Sequence, residues 1–181
     1  MQTEMGQLPV RGNDAVEILT NDHQTVKSLL TQLTQARERT ARQNVLDQLK
    51  AVLTIHNATE ENLVYPALQK VAGKKAESLK LYNETAQADV MIFELDAMLK
   101  EGDDTDFDEK AQKLQAAILE HIDDEETKAF PHLQKGADSS ESQMLTQSVR
   151  EFRNALRFGG AQPRTATGEV DRPPSRTGST R

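Results

Sequence analysis

Two five-residue stretches hold the residue types that could do chemistry: His56-Asn57-Ala58-Thr59-Glu60 and His121-Ile122-Asp123-Asp124-Glu125. In each, a His precedes a Glu by four positions. The match runs on, with Glu61 answering Glu126, Tyr65 answering Phe130 and Pro66 answering Pro131. Four residues advance a helix by about 400°, so the His and Glu of each copy share a face one turn apart. A neutral imidazole nitrogen and a carboxylate oxygen on one face are ligands that iron, manganese or zinc accept. Two such copies supply a site, provided the rest of the chain holds them opposite each other.

A chain of 181 residues suits one domain with its own core. The absence of cysteine excludes a disulfide framework, a thiolate metal site and a Cys nucleophile, and agrees with a reducing compartment. No apolar run approaches the roughly 18 residues of a membrane span, so a soluble, cytoplasmic protein without a membrane partner is expected. The net charge of -7 argues against nucleic acid as a partner. Trp is absent, Ala, Leu, Gln, Glu and Lys abound, and Asn-Gly or Asp-Gly hairpin turns are missing. That composition favours helices, and the expected fold class is all-α.

Apolar residues recurring at three and four mark the helix faces. Asn13 is the expected N-cap of a first helix, with Asp14 in its first turn and Val16, Leu19, His23, Val26, Leu30 and Leu33 on its face. A second stripe runs through Val45, Leu49, Val52, His56, Glu60 and Leu63. It meets Pro66, where a kink or tightened last turns are expected, and stops near Gly73. Leu81, Ala88, Ile92, Leu95 and Leu99 form a third stripe. Thr105, with Asp108 three residues on, reads as a capping box for a fourth, which carries Leu114, Ile118, His121 and Glu125 and ends at Lys135-Gly136. Beyond a loop from Gly136 to Ser142, a shorter fifth helix over 143–158 places Leu145, Val149, Phe152 and Leu156 on one side. That side either packs on the outside of the bundle or forms a homodimer contact. Residues 1–12 are expected to fray, 13–135 to form the bundle, and 159–181, rich in Gly, Pro, Ser, Thr and Arg, to be a disordered tail.

Short loops make neighbouring helices antiparallel, so an up-down-up-down four-helix bundle is expected. Two residues equally far from a hairpin turn lie at the same height. The midpoint of His23 and His56 falls between Arg39 and Thr40, that of Glu60 and Thr85 between Ala72 and Gly73, and that of Thr85 and His121 on Asp103. Each midpoint is an expected turn, so these residues share one layer. Burying Glu60 and Glu125 there unpaired would cost several kcal/mol each, and a bound cation removes that cost. His23, His56, Glu60, His121 and Glu125 are therefore the candidate ligands. All are N or O donors, which suit iron, manganese or zinc and disfavour copper(I). Two carboxylates with several imidazoles in a four-helix bundle point to a two-metal centre with bridging carboxylates and open positions for dioxygen, nitric oxide or peroxide. His132, about 16 Å further along its helix, is too far away to join. Tyr65 and Phe130 read as packing at the bundle end.

The chain resembles the hemerythrin-like, HHE cation-binding domains over roughly residues 15–135. Asp22-His23, His56 to Glu60 with Tyr65-Pro66, and Glu120-His121 to Glu125 with Phe130-Pro131 carry the resemblance. It implies a non-haem di-iron site with Glu60 and Glu125 bridging. Family members bind dioxygen or nitric oxide, or act in oxygen sensing, iron handling and oxidative or nitrosative stress. The family pattern asks for a His on the third helix, where Thr85 stands, with Glu84 and Asp89 as the nearby acids that could replace it. Three function classes stay open: gas binding or sensing, a peroxidase- or ferroxidase-type enzyme, and a metal-poor helical interaction module.

Overall fold

The computed structural model describes residues 10–102 and 105–157; most of the segment expected to fray, Asp103-Asp104 and the tail lie outside them. Every described element is helical: α1 (Ala15–Gln35), α2 (Arg39–Thr59), α3 (Tyr65–Ala72), α4 (Lys75–Glu101), α5 (Phe107–Asp124), α6 (Phe130–Gly136) and α7 (Ser139–Arg157). Single π-turns at Glu60–Val64 and Glu125–Ala129 join α2 to α3 and α5 to α6 without a break, so the described residues form five rods.

Local chemistry sets the helix ends. Asp14, rather than Asn13, caps α1: its Oδ1 accepts the Glu17 N–H at 2.8 Å, and Glu17 Oε2 accepts the Asn13 N–H at 2.7 Å. The capping box expected at Thr105 and Asp108 does not open α5, which starts at Phe107 after Asp106. Asp108 is drawn instead to Arg42 at 2.6 Å and Arg37 at 2.9 Å, at the end of the α1–α2 hairpin. A capping box does form where none was foreseen. Asp138 and Glu141 exchange bonds of 2.9 and 3.0 Å, and the expected loop before α7 shrinks to Ala137 and Asp138. Gly73 ends α3 at φ 64°, the left-handed conformation that glycine adopts without strain.

α1 packs on α2 and α5, and α4 on α2 and α5, a helical bundle with two main apolar clusters and a third, small one of Ala15, Ile18 and Val149. The larger includes Val26, Leu30, Leu33, Leu46, Leu49, Leu95 and Leu114. The smaller, where α3 meets α6, includes Leu19, Val64, Leu68, Leu81, Phe130 and Leu133. The approach there is close: a Cβ on Gly136 would stand 2.8 Å from the Val71 carbonyl oxygen. Between the clusters lies a polar layer of His23, His56, Thr59, Glu60, Thr85 and Glu125, all buried.

α7 lies across α1 and α2. Its inward face runs through Val149 and Arg153, both 0% exposed, whereas Phe152 is half-buried and Leu156 exposed. The apolar side expected from Leu145, Val149, Phe152 and Leu156 is thus rotated, because Arg153 turns in to meet Asp22. No described helix is long and apolar enough to cross a membrane.

Candidate metal centre

Glu60 and Glu125 each open a π-turn, closed by the Tyr65 N–H on the Glu60 carbonyl and the Phe130 N–H on the Glu125 carbonyl. In an α-helix five residues rotate by about 500°, which would carry Tyr65 about 140° away from Glu60. The wider i to i+5 turn brings the aromatic ring back beneath its own carboxylate. Pro66 and Pro131 stand in the first turn of the helix that resumes, where a missing N–H is tolerated. The kink or tightening expected at Pro66 is therefore a widening, repeated in both copies.

One ligand atom from each of His23, His56, Glu60 and Glu125 lies within 4.8 Å of the others, and all four residues are buried. His23 Nε2 stands 3.2 Å from Glu125 Oε2 and 4.0 Å from Glu60 Oε1, and His56 Nε2 stands 3.1 Å from Glu60 Oε1. His23 Nε2, Glu60 Oε1 and Glu125 Oε2 have no hydrogen-bond partner. Leaving buried polar atoms unpaired costs about 1–3 kcal/mol each, more when charged. A cation contacting all of them removes that penalty, so the donor set fits a metal ion. Phe130 stacks on His23 with ring centroids 5.7 Å apart and planes 6° from parallel, so it walls the site rather than merely filling the bundle end.

His121 comes to the same layer but outside that group of four atoms. Its Nε2 lies 3.6 Å from Glu125 Oε1 and 3.4 Å from the Tyr65 hydroxyl. Tyr65, fully buried, donates to Glu125 Oε1 at 2.8 Å and shares its proton with Glu60 Oε2 at 3.1 Å. The centre thus has two halves. The unpartnered oxygens of the two carboxylates face His23 and His56, while their other oxygens face Tyr65 and His121. Burial, then the charges of Glu60 and Glu125, hold the Tyr65 phenol well above its usual range, so it stays protonated and donating. The sequence pattern missed Tyr65 in this role; its place before Pro66 was the signal, and only the π-turn makes it legible.

Thr85 is buried, and its hydroxyl donates to the Leu81 carbonyl at 3.1 Å. With His23, His56 and His121 it lines a cavity of about 20 Å³, room for one water-sized molecule. Leu53 and Asn57 line both this cavity and an open groove of about 420 Å³ between α2 and α4, so these two side chains stand between the centre and solvent. Of the two acids considered as substitutes for the missing imidazole, Glu84 lines the cavity and Asp89 does not. Glu84 is turned to His121 Nδ1 at 3.1 Å and to Lys80 at 2.9 Å, and Asp89 lies exposed in the outer groove. His132 pairs with Glu77 at 3.0 Å, away from the layer.

Each of the three histidines is held from behind in the same way. His23 Nδ1 meets Glu126 at 2.9 Å, which pairs with Lys27 at 3.2 Å. His121 Nδ1 meets Glu84, which pairs with Lys80. His56 Nδ1 meets Asp22 at 3.3 Å, and Asp22 is gripped by Arg153 at 2.5 and 3.1 Å. A carboxylate accepting the Nδ1 proton leaves the Nε2 lone pair free for a metal and fixes the ring. Burial opposes a charge on His56, but Glu60 and the bond to Asp22 outweigh it and raise its pKa to about 10. Burial likewise pushes Glu60 and Asp22 up, yet His56 beside both, and Arg153 beside Asp22, leave them below the usual carboxylate range. A metal ion and a proton therefore compete for His56 Nε2.

A duplicated His-Glu turn around a buried polar layer, inside a helical bundle, defines a cation-binding class. The chain matches the model of the hemerythrin HHE cation-binding domain over residues 14–133 and belongs to that family. With such a donor set, membership fits a non-haem iron-binding protein. The chain is also similar to a protein named DNA nickase from Nostoc sp. (strain PCC 7120 / SAG 25.82 / UTEX 2576), 21% identical over 146 residues, which are 80% of this chain and 41% of that protein. The chain thus spans about two fifths of that relative's length.

Proposed function

We propose that the chain is a non-haem iron protein whose centre binds or senses dioxygen, nitric oxide or peroxide. One observation carries the reading: His23 Nε2, Glu60 Oε1 and Glu125 Oε2 are buried, close together and without hydrogen-bond partners. A metal-poor interaction module would relieve that cost only at Glu60, through a protonated His56, and leave His23 Nε2 and Glu125 Oε2 unpartnered. His23, His56, Glu60 and Glu125 would hold a first ion, with manganese or zinc as the other ions these donors accept. His121, Glu60 and Glu125 would hold a second once Tyr65 gives up its hydrogen bonds. Bound iron supplies a redox-active position open to a small molecule. The cavity beside Thr85 matches the size of a diatomic gas or a water. An up-down-up-down bundle acting in the cytoplasm is part of the same proposal. A homodimer through α7 would have to use Met144 and Leu156, the apolar side chains that helix leaves exposed.

Peroxidase- or ferroxidase-type turnover is the second reading, favoured by the Tyr65 phenol set between the two carboxylates, where it could give up an electron and a proton. The nicking named for the relative is not carried over, since the similarity covers a minor part of that protein and this chain's net charge is -7. The test is metal analysis with an optical spectrum on protein from iron-replete cells. Iron in the parent, lost in His56→Ala, is the expected result, with a spectrum that changes reversibly on adding gas. Equal metal content in parent and variant would overturn the site.

A further inference from the structure

We infer that α7 is a working part of the metal centre, because Arg153 positions the ligand His56 through Asp22. The inference rests on the metal-binding reading above and adds a residue from outside the matched family domain, which ends at residue 133, before α7 begins. The three histidines share one kind of support, but the supports differ in their last member. Those of His23 and His121 end on Lys27 and Lys80, whose side chains are 33% and 52% exposed. That of His56 ends on Arg153, 0% exposed and the largest fully buried side chain described.

The geometry of Arg153 is that of a clamp. Both Nη atoms go to the two oxygens of Asp22, at 2.5 and 3.1 Å, and its buried Nε has no partner. The polar contacts of this side chain thus serve one carboxylate. A guanidinium fork holding both oxygens fixes the carboxylate plane as well as its position, which a lysine cannot do. Asp22 Oδ2, held in this way, faces His56 Nδ1 and turns Nε2 toward Glu60 Oε1. Lys27 is a single point charge on a partly exposed stem and Lys80 is shared with Asp124, so neither fixes the plane of Glu126 or Glu84 as the buried fork fixes that of Asp22. The rest of α7 is anchored separately: Arg150 donates to the carbonyls of Gly12 and Asn13, and the Thr146 hydroxyl accepts the Ala15 N–H. Docking of α7 and positioning of His56 can therefore be separated by mutation.

The experiment titrates cobalt(II) into metal-free full-length protein and follows the visible absorption that reports ligand number and field. The proteins are the parent, Arg153→Met, Arg153→Lys, Asp22→Asn, the Asp22→Asn/Arg153→Met double variant, and Arg150→Ala as a docking control. Loss of support behind a ligating His weakens metal binding by roughly 10- to 100-fold, and that loss is expected for Arg153→Met. Arg153→Lys should recover part of it, Arg150→Ala should match the parent, and the double variant should bind no more weakly than Asp22→Asn alone. Parent-like affinity and spectrum in Arg153→Met, or additive losses in the double variant, would overturn the inference. Should Arg153→Met not fold, hydrogen exchange on the parent decides. Metal should raise the protection of α7 amides near Arg153, and unchanged protection sinks the coupling, because linkage between two sites is reciprocal. A parent that takes up no metal refutes the metal-binding reading itself, a different result from a parent and Arg153→Met that bind alike.

Discussion

Replacing Tyr65 by Phe removes one oxygen atom and leaves the ring, with its edge-on contact to Tyr82 at 4.9 Å, in place. In metal-free protein the change strips the donor from Glu125 Oε1 and Glu60 Oε2, both on fully buried side chains, in a layer beside a cavity with room for one water. A buried acceptor left unpaired costs about 1–3 kcal/mol, more when charged, so about 3 kcal/mol is expected for the pair after relaxation. At roughly 2–4 °C per kcal/mol for a chain of this size, the metal-free variant should melt about 6–12 °C below the metal-free parent. Saturation with metal should shrink the difference, because an ion in the second half of the centre contacts the oxygens that the hydroxyl had satisfied. Thermal melts followed by circular dichroism, with chelator and with excess metal, measure both effects. A metal-free variant melting within about 2 °C of the parent would refute the structural part of the argument. An equal drop with and without metal would refute the exchange of hydroxyl for ion.

The remaining predictions use the same layer. His56 holds its proton more tightly folded than unfolded, so it stabilises the metal-free protein fully below pH 6.5 and loses that contribution as pH rises toward about 10. Glu60 and Asp22, both held low, stabilise above 4.5 and 3.8 and lose their contribution on acidification, so metal-free melting temperatures should be highest between 4.5 and 6.5. Metal uptake should strengthen over the pH range where metal-free stability falls, with proton release seen by a pH indicator; pH-independent uptake would count against it. Glu84→Gln should loosen His121 and make the ion proposed to sit on His121 leave at lower chelator concentration, while Asp89→Asn should behave as the parent. Equal behaviour of the two variants would show that Glu84 does not support His121.

The helical character of the chain and the layer could be read from the sequence because each rests on one periodicity. His56 with Glu60 and His121 with Glu125 lie one turn apart on inward stripes, and the turn-midpoint count needs only short loops. What could not be read depends on departures from that periodicity. Tyr65 reaches the carboxylates only through a π-turn, and a 100° wheel turns it away. Arg153 breaks a different rule: a charged residue beside an apolar stripe reads as solvated, and its burial becomes reasonable only once Asp22 is seen opposite. Glu84 fell between the two cases: its stripe places it on the cavity wall, but its carboxylate goes to the back of His121 and to Lys80.

The pairing of carboxylates with cations behind the histidines also fixes the electrical balance of the layer. Asp22 with Arg153, Glu126 with Lys27, and Glu84 and Asp124 with Lys80 and Lys128 each sum to zero. With neutral imidazoles, the charge that remains is that of Glu60 and Glu125, two negative charges facing inward. One divalent ion would make the interior neutral, and neutrality matters where the surrounding medium screens poorly. A second divalent ion, or oxidation of the first, would bring positive charge for which these side chains hold no counterpart. The compensating negative charge would then have to come from an anion admitted by the cavity or from Tyr65 losing its proton. On the metal-binding reading, the number and oxidation state of the ions would thereby be tied to the protonation of one phenol and to the charge of any molecule admitted beside Thr85.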